Sequence, residues 1–257
     1  MIASQSVDTA VAALRGGESV ILPTDTVYGL CVDAYHEAPV RRLLRQKRRP
    51  PEMPVALVAS DLDVLLDAVP ELRGRAAVAA RAILPGPYTL VLPNPARRYR
   101  WLTGTRPETI GVRIPDLPAE AKAALDGFGA VAMTSANVHG GPDPARIEDI
   151  PEAILRAAGA VIDVGELPGT PSTVIDLTGK EPEVLRVGAV PAPDALARIA
   201  RATTGGCTKA RSPAFQARSI GKARKRRLWR WAHAALSSLE RNMSLISVSS
   251  RLGEKKM

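Results

Sequence analysis

The chain has 257 residues, enough for one full hydrophobic core, and a single domain of about 200 residues is the natural size. Its formal charge of +9 is uneven: residues 1–200 hold 21 Lys and Arg against 24 Asp and Glu, a balance of −3, while residues 201–257 hold 14 against 2, a balance of +12. Overall basicity therefore argues for nucleic-acid binding only through the tail or local patches. Two distant cysteines, Cys31 and Cys207, point to neither a disulfide framework nor a metal site, and a reduced cytoplasmic setting is expected. No run of 18 apolar residues suggests a membrane span, and no basic start with an apolar stretch suggests a signal peptide.

In chain order, residues 7–15 predict an amphipathic helix capped by Ser6 and stopped by Gly16-Gly17. A strand follows over 19–24. Pro39 is placed at the first position of a helix through Arg45, which Pro50-Pro51 ends. Residues 54–59 read as a strand. Helices are expected over 61–68, capped by Ser60, and over 71–84. Strands recur at 88–92, 109–114 and 130–134, then a helix at 148–157, strands at 160–164, 172–177 and 183–187, and a last helix near 193–201. Interleaved strands and helices indicate a mixed α/β sheet.

The domain is expected to span 1–202. The remainder, 203–257, reads as a basic extension. In it Leu228, Trp231, Ala232, Ala235, Leu236, Leu239, Met243 and Ile246 share one helical face, a pattern that fits a helix over 228–246.

The segment Pro23-Thr-Asp-Thr-Val-Tyr-Gly-Leu30 ends the first strand, and the ends of strands in α/β folds hold ligands. On an extended backbone Thr24, Thr26 and Tyr28 would line one side, a row of hydroxyls able to donate and accept. Lys47 and Arg49, two apart and just before a double proline, would point the same way and grip phosphate, or else belong to a solvated basic helix end. Arg113, among Ile110, Val112 and Ile114, shares its direction with Gly111. It calls for an anion, either a ligand carboxylate or an internal salt-bridge partner. Ser135, Asn137 and Ser172 sit at strand ends, where small polar residues also cap helices and fix turns. His36, His139 and His233 lack zinc-site spacing, and no nucleophile elbow, Walker lysine or dinucleotide fingerprint is present.

Seven segments in order carry a resemblance: Pro23–Leu30, Lys47-x-Arg49-Pro50, Pro85-Gly86-x-x-Thr89, Gly111-Val-Arg-Ile-Pro115, Ser135-Ala-Asn137, Ser172-Thr-Val174 and Leu185-Arg-x-Gly188. From about residue 7 to 190 the chain resembles the YrdC-like family of threonylcarbamoyl-AMP synthases, in their short, single-domain form. The resemblance implies a strongly curved α/β sheet enclosing a large cavity. It implies a nucleotidyltransferase that joins L-threonine, bicarbonate and ATP into threonylcarbamoyl-AMP and releases pyrophosphate, with magnesium assisting. A downstream tRNA-modifying transferase complex would consume the product, and direct tRNA contact is a further implied property.

By resemblance, Thr26, Tyr28, Arg113 and Ser172 hold threonine. Lys47 and Arg49 hold the ATP phosphates and are the catalytic cations. Thr109, Ser135, Asn137, Asp143 and Arg186 contact the nucleotide, and no metal ligand is implied. Departures occur at Met53, usually polar in relatives, at His139, usually a small hydroxyl, and at Val58, a histidine in some long relatives. A different class of function, a non-catalytic RNA-binding or ribosome-maturation factor, would suit a concave face and a basic tail.

Overall fold

The computed structural model describes residues 5–204; the expected extension over 203–257 and its helix at 228–246 lie outside these residues, apart from the end of the last helix. In chain order the elements are α1 (Val7–Arg15), β1 (Ser19–Leu22), β2 (Gly29–Asp33), α2 (Glu37–Gln46), β3 (Ala56–Val58), α3 (Leu62–Ala68), α4 (Gly74–Ile83), β4 (Tyr88–Pro93), β5 (Thr109–Arg113), α5 (Ala119–Phe128), β6 (Val131–Ser135), α6 (Glu152–Ala157), β7 (Ala158–Val161), β8 (Thr173–Asp176), β9 (Glu183–Arg186) and α7 (Ala192–Thr204). The strands form one mixed sheet in the order β7-β1-β2-β6-β3-β5-β4-β8-β9. The expected mixed α/β sheet with flanking helices is what the structure shows.

The two faces of this sheet bury different side chains. Leu30, Val32, Leu57, Leu90, Leu92, Ile110, Val112, Ala132 and Ile175 pack with Val40, Leu43 and Leu44 of α2, Leu65 of α3, Ala80 and Ile83 of α4 and Ile199 of α7. On the other face Val20, Leu22, Cys31, Val58, Val131 and Met133 pack with Leu14 of α1 and Leu125 and Phe128 of α5. Strand alternation accounts for the split, since odd and even positions point to opposite sides. The α1 and α5 layer covers the β7-β1-β2-β6 end. Over β3, β5, β4 and β8 that face is left for a cavity.

Several local expectations change. Ser6 does cap α1, accepting from the Thr9 amide at 3.2 Å, and Gly16 is its C-cap. The α3 cap, however, is Asp61, whose Oδ1 accepts from the Val64 amide at 2.8 Å; the Ser60 hydroxyl is buried without a partner among the described residues. Pro39 lies two residues inside α2, which begins at Glu37 after His36; a first-turn amide has no helical acceptor, so proline is tolerated there. The helix expected over 148–157 is interrupted. A 3₁₀ turn covers Ile147–Asp149 and α6 begins at Glu152, because Pro151 cannot continue a preceding helix.

Two elements were not anticipated. Strand β2 follows the Pro23–Gly29 turn and pairs antiparallel with β1 through Val20↔Cys31 and Leu22↔Gly29. Helix α5 carries its buried residues Ala121, Ala124, Leu125 and Phe128 at helical spacing, a signal present in the sequence behind Pro115 and Pro118.

Candidate active site

Strand register builds the floor of the cavity. Ala56 and Val58 of β3, Thr109, Gly111 and Arg113 of β5, Thr89 and Val91 of β4, and Val174 of β8 all line it. These are alternate positions on adjacent strands, as one exposed sheet face requires. Val58 pairs with Arg113 across β3 and β5, Thr89 with Val174 across β4 and β8, and Val174 with Arg186 across β8 and β9. One line of side chains therefore runs across the sheet with a guanidinium at two of its positions. The cavity has a volume of about 350 Å³, and Arg49, Ser135, Asp143, Ser172 and Arg186 complete its wall.

Gly111 keeps the floor open. A Cβ there would stand 3.8 Å from Ala56 Cα and 4.0 Å from Thr89 Cγ2, ordinary contact distances, so the position is vacant for a ligand rather than for a neighbour.

Arg113 is 8% exposed. Its Nη2 donates to Asp25 Oδ1 at 2.5 Å and to Thr26 Oγ1 at 2.7 Å. Both readings of this arginine therefore meet at one residue: it has an internal partner and it lines the cavity. Burial draws its pKa below the ordinary guanidinium value; Asp25 opposes that, and Arg186 adds to it. Among the described residues, its Nε and that of Arg49 are buried and have no acceptor. Unpaired buried donors are rare in native proteins, and an anion in the cavity would supply acceptors for these side chains.

Arg49 Nη2 donates to the Pro54 carbonyl at 2.8 Å. Its pKa is lowered by burial and then by Arg186, so Arg49 and Arg113 both feel the charge of Arg186. Arg186 donates from Nε and Nη2 to the Ser172 carbonyl at 3.1 and 2.8 Å, and Ser172 Oγ lies 2.9 Å from Thr89 Oγ1. Thr109 Oγ1 donates to the Arg106 carbonyl at 3.1 Å.

Lys47 and Arg49 hold different partners. Helix α2 ends in a helical Lys47 followed by Arg48 at φ 51°, a left-handed step that breaks the simple two-residue alternation between them. Lys47 is 1% exposed, and its Nζ donates to the Ser135 carbonyl, the Asn137 carbonyl and Asn137 Oδ1. Three acceptors satisfy all three ammonium protons. The expected paired grip is thus corrected: Arg49 reaches the wall and Lys47 braces the turn behind it. Burial and the nearby Arg49 push the Lys47 pKa down to about 8, against the pull of Asp143.

That turn is tightly specified. Asn137 Oδ1 also accepts from Ser135 Oγ at 2.8 Å, and its Nδ2 donates to the Gly141 carbonyl at 2.6 Å and to Asp143 Oδ1 at 3.4 Å. Ser135 and Asp143 line the cavity, whereas Asn137, 7% exposed, holds them in place.

The expected row of hydroxyls at 24, 26 and 28 is also corrected. Residues 23–28 form a turn, not a strand, because Thr24 Oγ1 accepts from the Thr26 and Val27 amides, both at 3.2 Å, and donates to the Val27 carbonyl at 2.7 Å. Side-chain competition of this kind is why Thr favours turns. Tyr28 consequently points into the core. It is 0% exposed, and its hydroxyl is bonded to Asp163 Oδ1 and the Gly165 carbonyl, both at 2.7 Å. Thr26 stands behind Arg113. Sequence reasoning passed over Arg106, Val91 and Met133, which also line the cavity; alternation along β4 and β6 was the signal that would have found the last two.

The profile of the Sua5/YciO/YrdC family, described as telomere recombination, matches residues 12–188. The chain belongs to that family. A curated relative from Stenotrophomonas maltophilia, named threonylcarbamoyl-AMP synthase, is 39% identical over 169 residues, 64% of this chain and 88% of that protein. The crystal structure of P. abyssi Sua5 complexed with L-threonine superposes with a TM-score of 0.68 at 33% identity, covering 75% of this chain and 57% of that longer one. The crystal structure of E. coli YciO superposes with a TM-score of 0.65 at 28% identity, covering 72% and 90%.

Proposed function

We propose that this chain makes threonylcarbamoyl-AMP from L-threonine, bicarbonate and ATP, releasing pyrophosphate, as a nucleotidyltransferase in the threonylcarbamoyl modification of tRNA. The observation that carries the reading is the convergence of Arg49, Arg113 and Arg186 on one cavity. Such a site suits a polyanion and a small carboxylate held side by side. Residues 1–202 are the catalytic unit, with the sheet curving around both substrates.

In the reaction, the free amine of threonine takes up bicarbonate, water leaves, and a carbamate forms. A carbamate oxygen attacks the α-phosphorus of ATP and pyrophosphate departs on the opposite side. No protein nucleophile is needed, and placement with charge neutralisation is the whole of the catalysis. Arg113, already beside Thr26, binds the threonine carboxylate, and Ser172 borders it. Arg49 neutralises the phosphates at the wall. Lys47 acts from behind, fixing Ser135 and Asn137 and adding a positive charge. Thr109, Ser135, Asp143 and Arg186 contact the nucleotide.

Asp143 is the carboxylate on the cavity wall, and among the described residues no cluster of three His, Cys, Asp or Glu could hold a metal. That donor set fits a magnesium ion that arrives on the triphosphate, which typically needs one or two protein carboxylates. When bound it would offset phosphate charge beside Asp143. A transferase complex that modifies tRNA receives the product, and the work belongs to the cytoplasm. Among the described residues no helix is long and apolar enough to cross a membrane.

The test is incubation with ATP, bicarbonate and a panel of amino acids, reading pyrophosphate. Threonine-selective release is expected. Release without any amino acid, or none with threonine, refutes the assignment.

A further inference from the structure

Following the hydroxyl protons around the cavity separates those already committed from those of Thr89, Thr105 and Thr134, and of these Thr89 falls opposite Arg113. Thr24 Oγ1 donates to the Val27 carbonyl, so it accepts from Thr26 Oγ1, 2.9 Å away, and the Thr26 proton is committed there while Arg113 donates to its oxygen. Ser135 Oγ donates to Asn137 Oδ1. Thr103 and Thr109 donate to the carbonyls of Arg100 and Arg106. A hydroxyl has a single proton, so each of these groups has none left for a ligand.

Thr89 and Ser172 differ. Their oxygens are 2.9 Å apart, and Arg186 Nη2 donates to Ser172 Oγ at 3.3 Å. A guanidinium only donates, so the serine oxygen is an acceptor on that side, while either hydroxyl can be the donor of the Ser172–Thr89 bond. With Ser172 as that donor, the chain of donors runs Arg186, Ser172, Thr89 and leaves a threonine proton that has no acceptor among the described residues. Thr89 lines the cavity. One residue along the β4–β5 pairing from Leu90↔Val112, it falls opposite Arg113, where facing Cβ atoms stand about 5 Å apart.

We propose that Thr89 is the residue that selects a β-hydroxyl on the amino-acid substrate, donating its free proton to that oxygen. The inference rests on the synthase reading and on Arg113 as the carboxylate site. In an α-amino acid the β-oxygen lies within a few bonds of the carboxylate, so one ligand spans both residues. Val58, paired with Arg113 on the other side, offers only methyl groups, so of the two strand neighbours of Arg113 only Thr89 offers a polar contact. A site that hydrogen-bonds a ligand hydroxyl rejects the analogue without it far more strongly than an apolar pocket does, because its own polar group is then left unpaired.

The experiment compares L-threonine with L-2-aminobutyrate, which lacks only the hydroxyl, by the ratio of their kcat/KM values for pyrophosphate release. Wild type is expected to favour threonine at least about a hundredfold; in Thr89→Val, nearly the same shape without the hydroxyl, that preference falls by at least about tenfold, and in Thr89→Ser it is largely kept. Thr89→Ala gives the same readout should valine disturb the strand. A preference unchanged in both Val and Ala variants overturns the proposal while leaving the synthase reading intact. No pyrophosphate from wild type with any amino acid overturns the synthase reading itself, and this inference with it.

Discussion

Lys47 and Asn137 are locked to each other: the ammonium donates to the amide Oδ1 at 2.8 Å and also to the backbone carbonyl of the same residue. The amide has one orientation as a result, oxygen toward Lys47 and Ser135, nitrogen toward Gly141 and Asp143. Replacing Lys47 by Met removes three donors and leaves the amide held by Ser135, Gly141 and Asp143 alone. We expect the KM for ATP to rise at least about tenfold, equal to losing one charge-assisted contact, with the KM for threonine moving much less. Steady-state pyrophosphate release against each substrate measures both. An ATP KM equal to wild type would separate Lys47 from the nucleotide altogether.

The same lysine sets a pH dependence. Its folded pKa of about 8 lies below the ordinary lysine value of about 10.4. Between those two values the unfolded chain binds the extra proton and the folded chain does not. Stability therefore rises with pH through this window, and below it the buried charge weighs against folding. The contribution is on the order of 3 kcal/mol at most. Urea unfolding of wild type and Lys47→Met at pH 7.5 and pH 10 isolates it, since all other groups cancel in the difference. Parallel pH dependence in the two proteins would show that Lys47 titrates at its ordinary value.

How much of this was legible beforehand depends on whether the deciding contact is local. Alternation along 109–113 put Gly111 and Arg113 on one face, and the strand of the structure keeps that face. Strand residues take their direction from the backbone, so sequence suffices. The Thr24–Tyr28 reading failed because a single side chain, Thr24, bends the backbone and sends Tyr28 to Asp163, 135 residues further on. Lys47 failed in a similar way. Two-residue spacing says nothing about a left-handed Arg48, nor about carbonyls 88 and 90 residues away that capture the ammonium. Order and spacing of motifs picked out several residues that line one cavity; long-range hydrogen bonds decided which members face it.

Arg113 makes a sharper prediction because it already carries an internal partner. Arg113→Lys keeps a charge beside Asp25 but loses the planar fork. A lysine has no second donor pair to offer a carboxylate while it satisfies Asp25 and Thr26. We expect the KM for L-threonine to rise at least about tenfold, with the KM for ATP changed by less than about threefold. Equal shifts in both KM values would indicate general damage to the cavity instead of loss of the carboxylate site.

Gly111 separates occupancy of the cavity from integrity of the fold. Its backbone is ordinary β5 strand, paired with Val91 of β4, and a Cβ meets nothing closer than 3.8 Å. Valine is a favourable strand residue, so Gly111→Val is expected to fold and to melt within a few degrees of wild type or slightly above. Its two methyl groups would stand between Arg113 and Thr109, in the space both substrates need. Pyrophosphate release should therefore fall at least about a hundredfold, through exclusion and not through loss of any charged group. Gly111→Ala, shorter by two methyl groups, should lie between the two proteins. A fully active, stably folded Gly111→Val enzyme would mean that the substrates bind elsewhere on the molecule, and would remove this face of the sheet from the mechanism.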